Sequence, residues 1–196
     1  MSNAVRTAVH PVSPLFLERW SARSLTGEAI DEADLLTLFE AARWAPSGFN
    51  QQPWRFVYAR RDTDHFPLFL NLLAETNRPW AEKAAAIVFV LSEKRFERNG
   101  EWHDSTSHAF DTGAAAFSLS LQASILGWNT RTVGGINRAD AKAALGVPDD
   151  YSINVAIVIG RRGTVDDLPE KYRAREILTD RLPLDRIVAE GRFATA

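Results

Sequence analysis

The chain has 196 residues, 45% of them hydrophobic and 24% charged, enough to bury a sizeable core without disulfides or a structural metal. Its 23 basic and 25 acidic side chains leave a net charge of -2 with the signs mixed along the sequence, which argues against a nucleic-acid footprint. Cysteine is absent, so disulfides, thiolate catalysis and cysteine-held iron–sulfur clusters are excluded.

Residues 1–12 read as a loose leader with no charged-then-apolar signal pattern. A short helix starts at Ser13 or Pro14 and runs to Trp20. Asp31-Glu32 opens a longer one ending at Trp44, with Leu35, Leu36, Phe39 and Ala42 at helical spacing. Trp54 to Ala59 is a strand, His65 to Leu73 and Pro79 to Lys83 are helices, and Ala84 to Leu91 is a continuous apolar strand. That run is far too short to span a bilayer, so the chain reads as soluble and cytoplasmic, with no membrane partner.

The charged segment Glu93 to Asp104 carries an Asn99-Gly100 turn signal. Ser105 to Leu126 is the longest helix. Its alanines and serines let another helix approach closely, and Gly127 ends it. Arg131 to Val133 is a short strand, Asn137 caps a helix through Leu145, and Ile153 to Ile159 is a second buried strand. The whole chain, 1–196, reads as one domain: a sheet flanked by helices, with 161–196 as an extended tail.

Four segments carry candidate chemistry. Ala45 to Trp54 is rich in Ser, Gly, Asn and Gln and is restricted at both ends by Pro46 and Pro53. It suits a planar ligand with polar edges, and equally an ordinary connector. In Arg19-Trp20-Ser21-Ala22-Arg23, a helical segment would place both guanidinium groups on one face, as a phosphate requires or as a solvated basic face shows. Gly134-Gly135 permits close backbone approach or a tight turn. Arg181, before Leu182-Pro183, either reaches back to the phosphate or faces solvent. His103-Asp104 precedes the long helix as surface capping. No dinucleotide fingerprint, phosphate-binding P-loop, nucleophile elbow or metal spacing is present.

Together and in order, these segments resemble the FMN-dependent nitroreductase family. Arg19 to Arg23 is similar to its R-x-S-x-R element. Ala42 to Trp54 resembles its A-x-x-A-P-S-x-x-N-x-Q-P-W block, and Asp111-Thr112-Gly113 the start of its central helix. Gly134-Gly135-Ile136 is similar to its glycine turn, and Arg181-Leu182-Pro183-Leu184 to its terminal R-x-P-L. The likeness spans about residues 14 to 190.

The resemblance implies an α+β three-layer sandwich: a central, mostly antiparallel sheet flanked by helices, in an intertwined homodimer with FMN at the interface. Arg19, Ser21 and Arg181 would bind the phosphate. Arg23 would sit toward the N1/C2 edge of the ring. Pro46, Ser47 and Asn50 would reach the second subunit's flavin, and Gly134 and Gly135 would offer N–H groups near N5. NAD(P)H would donate hydride to flavin N5, and a nitroaromatic, quinone or similar acceptor would then take it by ping-pong kinetics, with no protein general base. Phe49 and Trp102 are expected in the acceptor pocket, with residues 93–104 as a mobile cover. A specialised dehalogenase or enone reductase, or a flavin-binding sensor or store with little turnover, are the alternatives.

Overall fold

The computed structural model describes residues 6–193, so residues 1–5 of the expected leader and 194–196 of the tail lie outside the described residues. Proline in the first turn opens α1 (Pro14–Glu18), which stops short of the expected Trp20 because Arg19 is already extended. In α2 (Glu32–Arg43) Asp31 lies just outside the helix as its N-cap, and its carboxylate accepts the Asp34 amide at 2.7 Å. Asp31→Ala is expected to cost about 1 kcal/mol. Calorimetry should read this as a melting temperature lower by roughly 2–4 °C; an unchanged value would remove the cap from the account.

A single 3-10 turn at Gly48–Asn50 leads to β1 (Trp54–Arg60). Two short helices follow, α3 (Phe66–Asn71) and α4 (Arg78–Ala81), then the buried strand β2 (Ala86–Glu93). The 93–104 segment, expected as a mobile cover, is a β-hairpin: β3 (Arg95–Arg98) pairs antiparallel with β4 (Glu101–Asp104). Asn99 and Gly100 both have positive φ, 55° and 82°, as a two-residue hairpin turn requires. His103 and Asp104 therefore lie in a strand and do not cap the next helix.

The remaining elements are α5 (His108–Ile125), β5 (Asn129–Val133), α6 (Arg138–Ala144), β6 (Tyr151–Gly160) and α7 (Glu170–Arg173). Both β5 and β6 begin two residues earlier than the sequence suggests.

The main sheet has the order β1-β2-β6-β5, and every neighbouring pair is antiparallel. Alternation along β2 divides the interior. Ile87, Phe89 and Leu91 enter a core closed by α3, α4 and α6. Ala86, Val88 and Val90 enter a second core closed by α2 and α5, where Leu35, Leu38, Ala115 and Leu119 are buried. The result is an α+β sandwich of three layers. Among the described residues no helix is long and apolar enough to cross a membrane.

One irregularity matters for the site. The β2–β6 register slips between Val90, paired with Val155, and Leu91, paired with Ile153. Asn154 is the extra residue of a β-bulge. Arg138 of α6 fixes the bulge by donating to the carbonyls of Ile153 (3.2 Å) and Asn154 (2.9 Å).

Candidate functional site

The R-x-S-x-R segment is extended, not helical. Past Glu18 the backbone stays open until Leu25 bridges Arg162. Extended chain alternates sides, so Arg19, Ser21 and Arg23 share one side by a period of two rather than by helical spacing. Ala22 and Ser24, on the other side, are buried. Extended alternation, not the helical spacing expected, is what puts them on one side.

These three residues line a cavity of about 240 Å³ together with Arg6, Arg131 and Arg181; Trp20, Arg175, Ile177 and Thr179 complete its lining. Six guanidinium groups thus come from both ends of the chain and from β5. The half-buried Arg19 has its pKa pushed below the usual value by burial, then by the charges of Arg6 and Arg181. Burial, and then Arg23, depress Arg131 in the same direction, and Glu176 opposes this. Among the described residues, two buried donors of this lining, Arg131 Nε and Trp20 Nε1, have no partner. An unmatched buried donor costs about 1–3 kcal/mol, so a cavity with such donors favours an incoming oxyanion.

The C-terminal tail builds one wall. Glu176 Oε1 accepts from the backbone amides of Arg23 and Ser24 and from Ser24 Oγ, each at 2.8 Å. Arg181, in contrast, is exposed and donates to its neighbours' carbonyls, Thr179 and Asp180.

A second cavity, about 410 Å³, adjoins the first and shares Arg19 and Ser21 with it. Its floor is one face of α5, including Thr112, Gly113, Ala116 and Ser120, spaced three and four apart. A Cβ at Gly113 would meet nothing within 4 Å, so the floor is low there. Thr132 and the bulged Asn154 stand at the sheet side. Thr112 Oγ1 is buried with no partner among the described residues. The Asn154 amide donates to Ser92 Oγ at 2.9 Å, and Ser92 is 2.7 Å from His108 Nδ1.

The Ala45–Trp54 loop is anchored to α5 at Asp111. One carboxylate oxygen accepts both the Gly48 amide (3.1 Å) and Ser107 Oγ (2.9 Å). Phe49, Asn50 and Gln52 all have positive φ, at 51°, 58° and 50°. Non-glycine residues hold that conformation only where the surroundings impose it. The result displays the Phe49 ring at 78% exposure, 5.0 Å from the Arg98 guanidinium. Neither Pro46, Ser47, Phe49 nor Asn50 lines the two cavities of the same chain.

Of the two glycines after β5, Gly134 has open space where a side chain would project. At Gly135 a Cβ would come 2.8 Å from Asn77 Nδ2, which donates to the Gly135 carbonyl. Trp102, 55% exposed, lies on the hairpin face opposite Arg98 and packs against Arg95. Phe49 and Trp102 therefore meet different faces of the ribbon.

Arg6, Arg131, Glu176, Thr112 and Asn154 were not among the expected site residues. Arg131 had a readable signal: a charged side chain between the β-branched Thr130 and Thr132, in a short strand where a long cation is out of place. The others depend on long-range placement.

A model described as "Nitroreductase family" matches residues 17–85 and 63–161. A solved structure of an oxidoreductase containing FMN is 41% identical, with 100% of each chain covered and a TM-score of 0.95. Two proteins of Streptomyces coelicolor bear the name NADH dehydrogenase/NAD(P)H nitroreductase. One is 34% identical over 85 residues, 43% of this chain and 42% of that protein. The other is 24% identical over 89% of this chain and 92% of that protein.

Proposed function

This chain belongs to the nitroreductase family, and from that membership we propose that it is an FMN-dependent NAD(P)H oxidoreductase acting on nitroaromatics, quinones or similarly electron-poor acceptors. The observation that carries the reading is the junction of two unlike cavities at Arg19 and Ser21. One is cationic with unmatched donors, fitting a phosphate. The other is low-floored, fitting a flat ring.

In this reading Arg19, Ser21 and Arg181 hold the phosphate through charge-assisted bonds. Arg23 supplies positive charge at the N1/C2 edge of the ring, where reduction builds negative charge. Gly134 and Gly135 offer backbone N–H groups. Bound FMN supplies hydride transfer at its N5 atom. The side chains bind, orient and exclude water, and none is required as a general base. Donor and acceptor use one pocket in turn, giving ping-pong kinetics, with Phe49 and Trp102 bordering the acceptor.

The molecule works as a homodimer. Pro46, Ser47 and Asn50, which line neither cavity of their own chain, reach the flavin of the second subunit. Large apolar side chains left exposed on α1 and α5 support this assembly. A cytosolic setting accords with the cysteine-free composition.

The test is a visible spectrum of purified protein before and after anaerobic NADH and NADPH. Flavin absorbance bleached by either nucleotide, and restored by a quinone, is the expected result. Colourless protein that also takes up no added FMN would refute the reading.

A further inference from the structure

Glu176 is a buried carboxylate behind an anion site, an arrangement that opposes anion binding. Its side chain is only 3% exposed. Oε1 accepts three hydrogen bonds from Arg23 and Ser24, all at 2.8 Å. Among the described residues Oε2 has no hydrogen-bond partner; it stands 3.9 Å from Arg23 Nη1. Glu176 does not line the arginine cavity; of the side chains that do, the one it meets as an ion pair is Arg23. It also acts electrostatically on Arg131, against the effect of Arg23.

A carboxylate is costly to bury unless its partners repay the lost hydration. A neutral side chain would bond the same two amides and hydroxyl with less desolvation. The charge therefore points to a role beyond tying the tail down. Two guanidinium groups, Arg23 and Arg131, repel one another at the cavity wall, and one negative charge behind Arg23 lets both stand there.

We propose that Glu176 is a positioning residue that seats Arg23 and damps the positive field of the arginine cavity, thereby setting the affinity and reduction potential of the bound flavin. The proposal rests on the flavin reading above. A ring flanked by undamped arginines would favour its anionic reduced form more strongly and would hold the phosphate more tightly. Glu176 thus restrains both properties. Its position on the tail makes that restraint depend on the tail being docked.

The experiment uses the full chain as wild type, Glu176→Gln, Glu176→Ala and Arg23→Gln, plus the Arg23→Gln/Glu176→Gln pair. FMN dissociation constants and the midpoint potential of bound flavin are measured for each. Glu176→Gln keeps the acceptor that bonds Arg23 and Ser24 and removes the charge. It is expected to tighten FMN binding by about tenfold and raise the potential by about 30 mV, the two-electron equivalent of a tenfold preference for reduced flavin. Glu176→Ala loses the seating too and is expected to bind FMN more weakly than Glu176→Gln. In the Arg23→Gln background the Glu176→Gln shift should shrink, because the effect runs through Arg23.

A potential and affinity unchanged in Glu176→Gln, whatever happens to melting temperature, would overturn the proposal and leave Glu176 a structural strap. An equal shift in both backgrounds would overturn the route through Arg23. Wild-type protein that takes up no FMN would overturn the flavin reading itself, and the proposal with it.

Discussion

Arg19→Ala is expected to weaken FMN binding by about 1.5–3 kcal/mol, the range for loss of a charge-assisted bond. That is roughly a 10- to 150-fold rise in the dissociation constant. Arg19 is half-buried, lines both cavities and lies at their junction. Its loss removes a donor from a place water reaches poorly. Arg181→Ala should fall toward the lower end of the same range, because its guanidinium is exposed and better screened. The signature is selective: binding of riboflavin, which lacks the phosphate, should change little in either variant. Fluorescence titration with both ligands checks this. Equal losses for FMN and riboflavin would move Arg19 from the phosphate to the ring, and unchanged FMN affinity in both variants would sink the phosphate assignment.

The second large effect concerns assembly. On α5, Phe110 (82% exposed), Phe117 (45%) and Ile125 (57%) form an apolar stripe, and Phe16 of α1 stacks on Phe117 with ring centroids 6.3 Å apart. Phe110→Asp changes a side chain that touches little within one chain, so the single fold should survive. At a dimer interface the same carboxylate would be buried unpaired, at about 3–5 kcal/mol. A twofold interface presents the change twice. Sedimentation should show the variant as a monomer, with FMN affinity lost in the same samples and the far-UV spectrum retained. A variant that stays dimeric would remove Phe110 from the interface. A monomer holding FMN as tightly as wild type would contradict a flavin shared between subunits.

The layered fold was readable because its strongest signals are local. Continuous apolar runs give β2 and β6, helical spacing gives α2, and the acidic Asp31 caps it. The hairpin was harder. Asn99-Gly100 announced the turn, yet exposed residues on both faces of β3 and β4 erased the alternation that marks a strand. At the site, Arg19, Ser21 and Arg23 were found by residue type, while the periodicity that unites them is two rather than nearly four. Arg6 and Glu176 left no local trace. Each matters only because the tail returns to the N-terminal segment, and pairings so distant in sequence have no periodicity to read. Asn154 became a candidate only through a one-residue slip in β6, which depends on the register of β2.

The arginine cavity takes its walls from Arg6 near one end of the chain and Arg181 near the other. On the ribosome Arg6 emerges long before Arg181, which follows even the last strand of the sheet, β6. No nascent chain can offer the finished cavity until residue 181 has cleared the exit tunnel, so a cofactor cannot guide the folding of the growing sandwich. The residues of the sheet are all made before that cavity can close, so loading of the prosthetic group is expected as a late step. Cells short of flavin would then accumulate folded, fillable protein rather than misfolded chains.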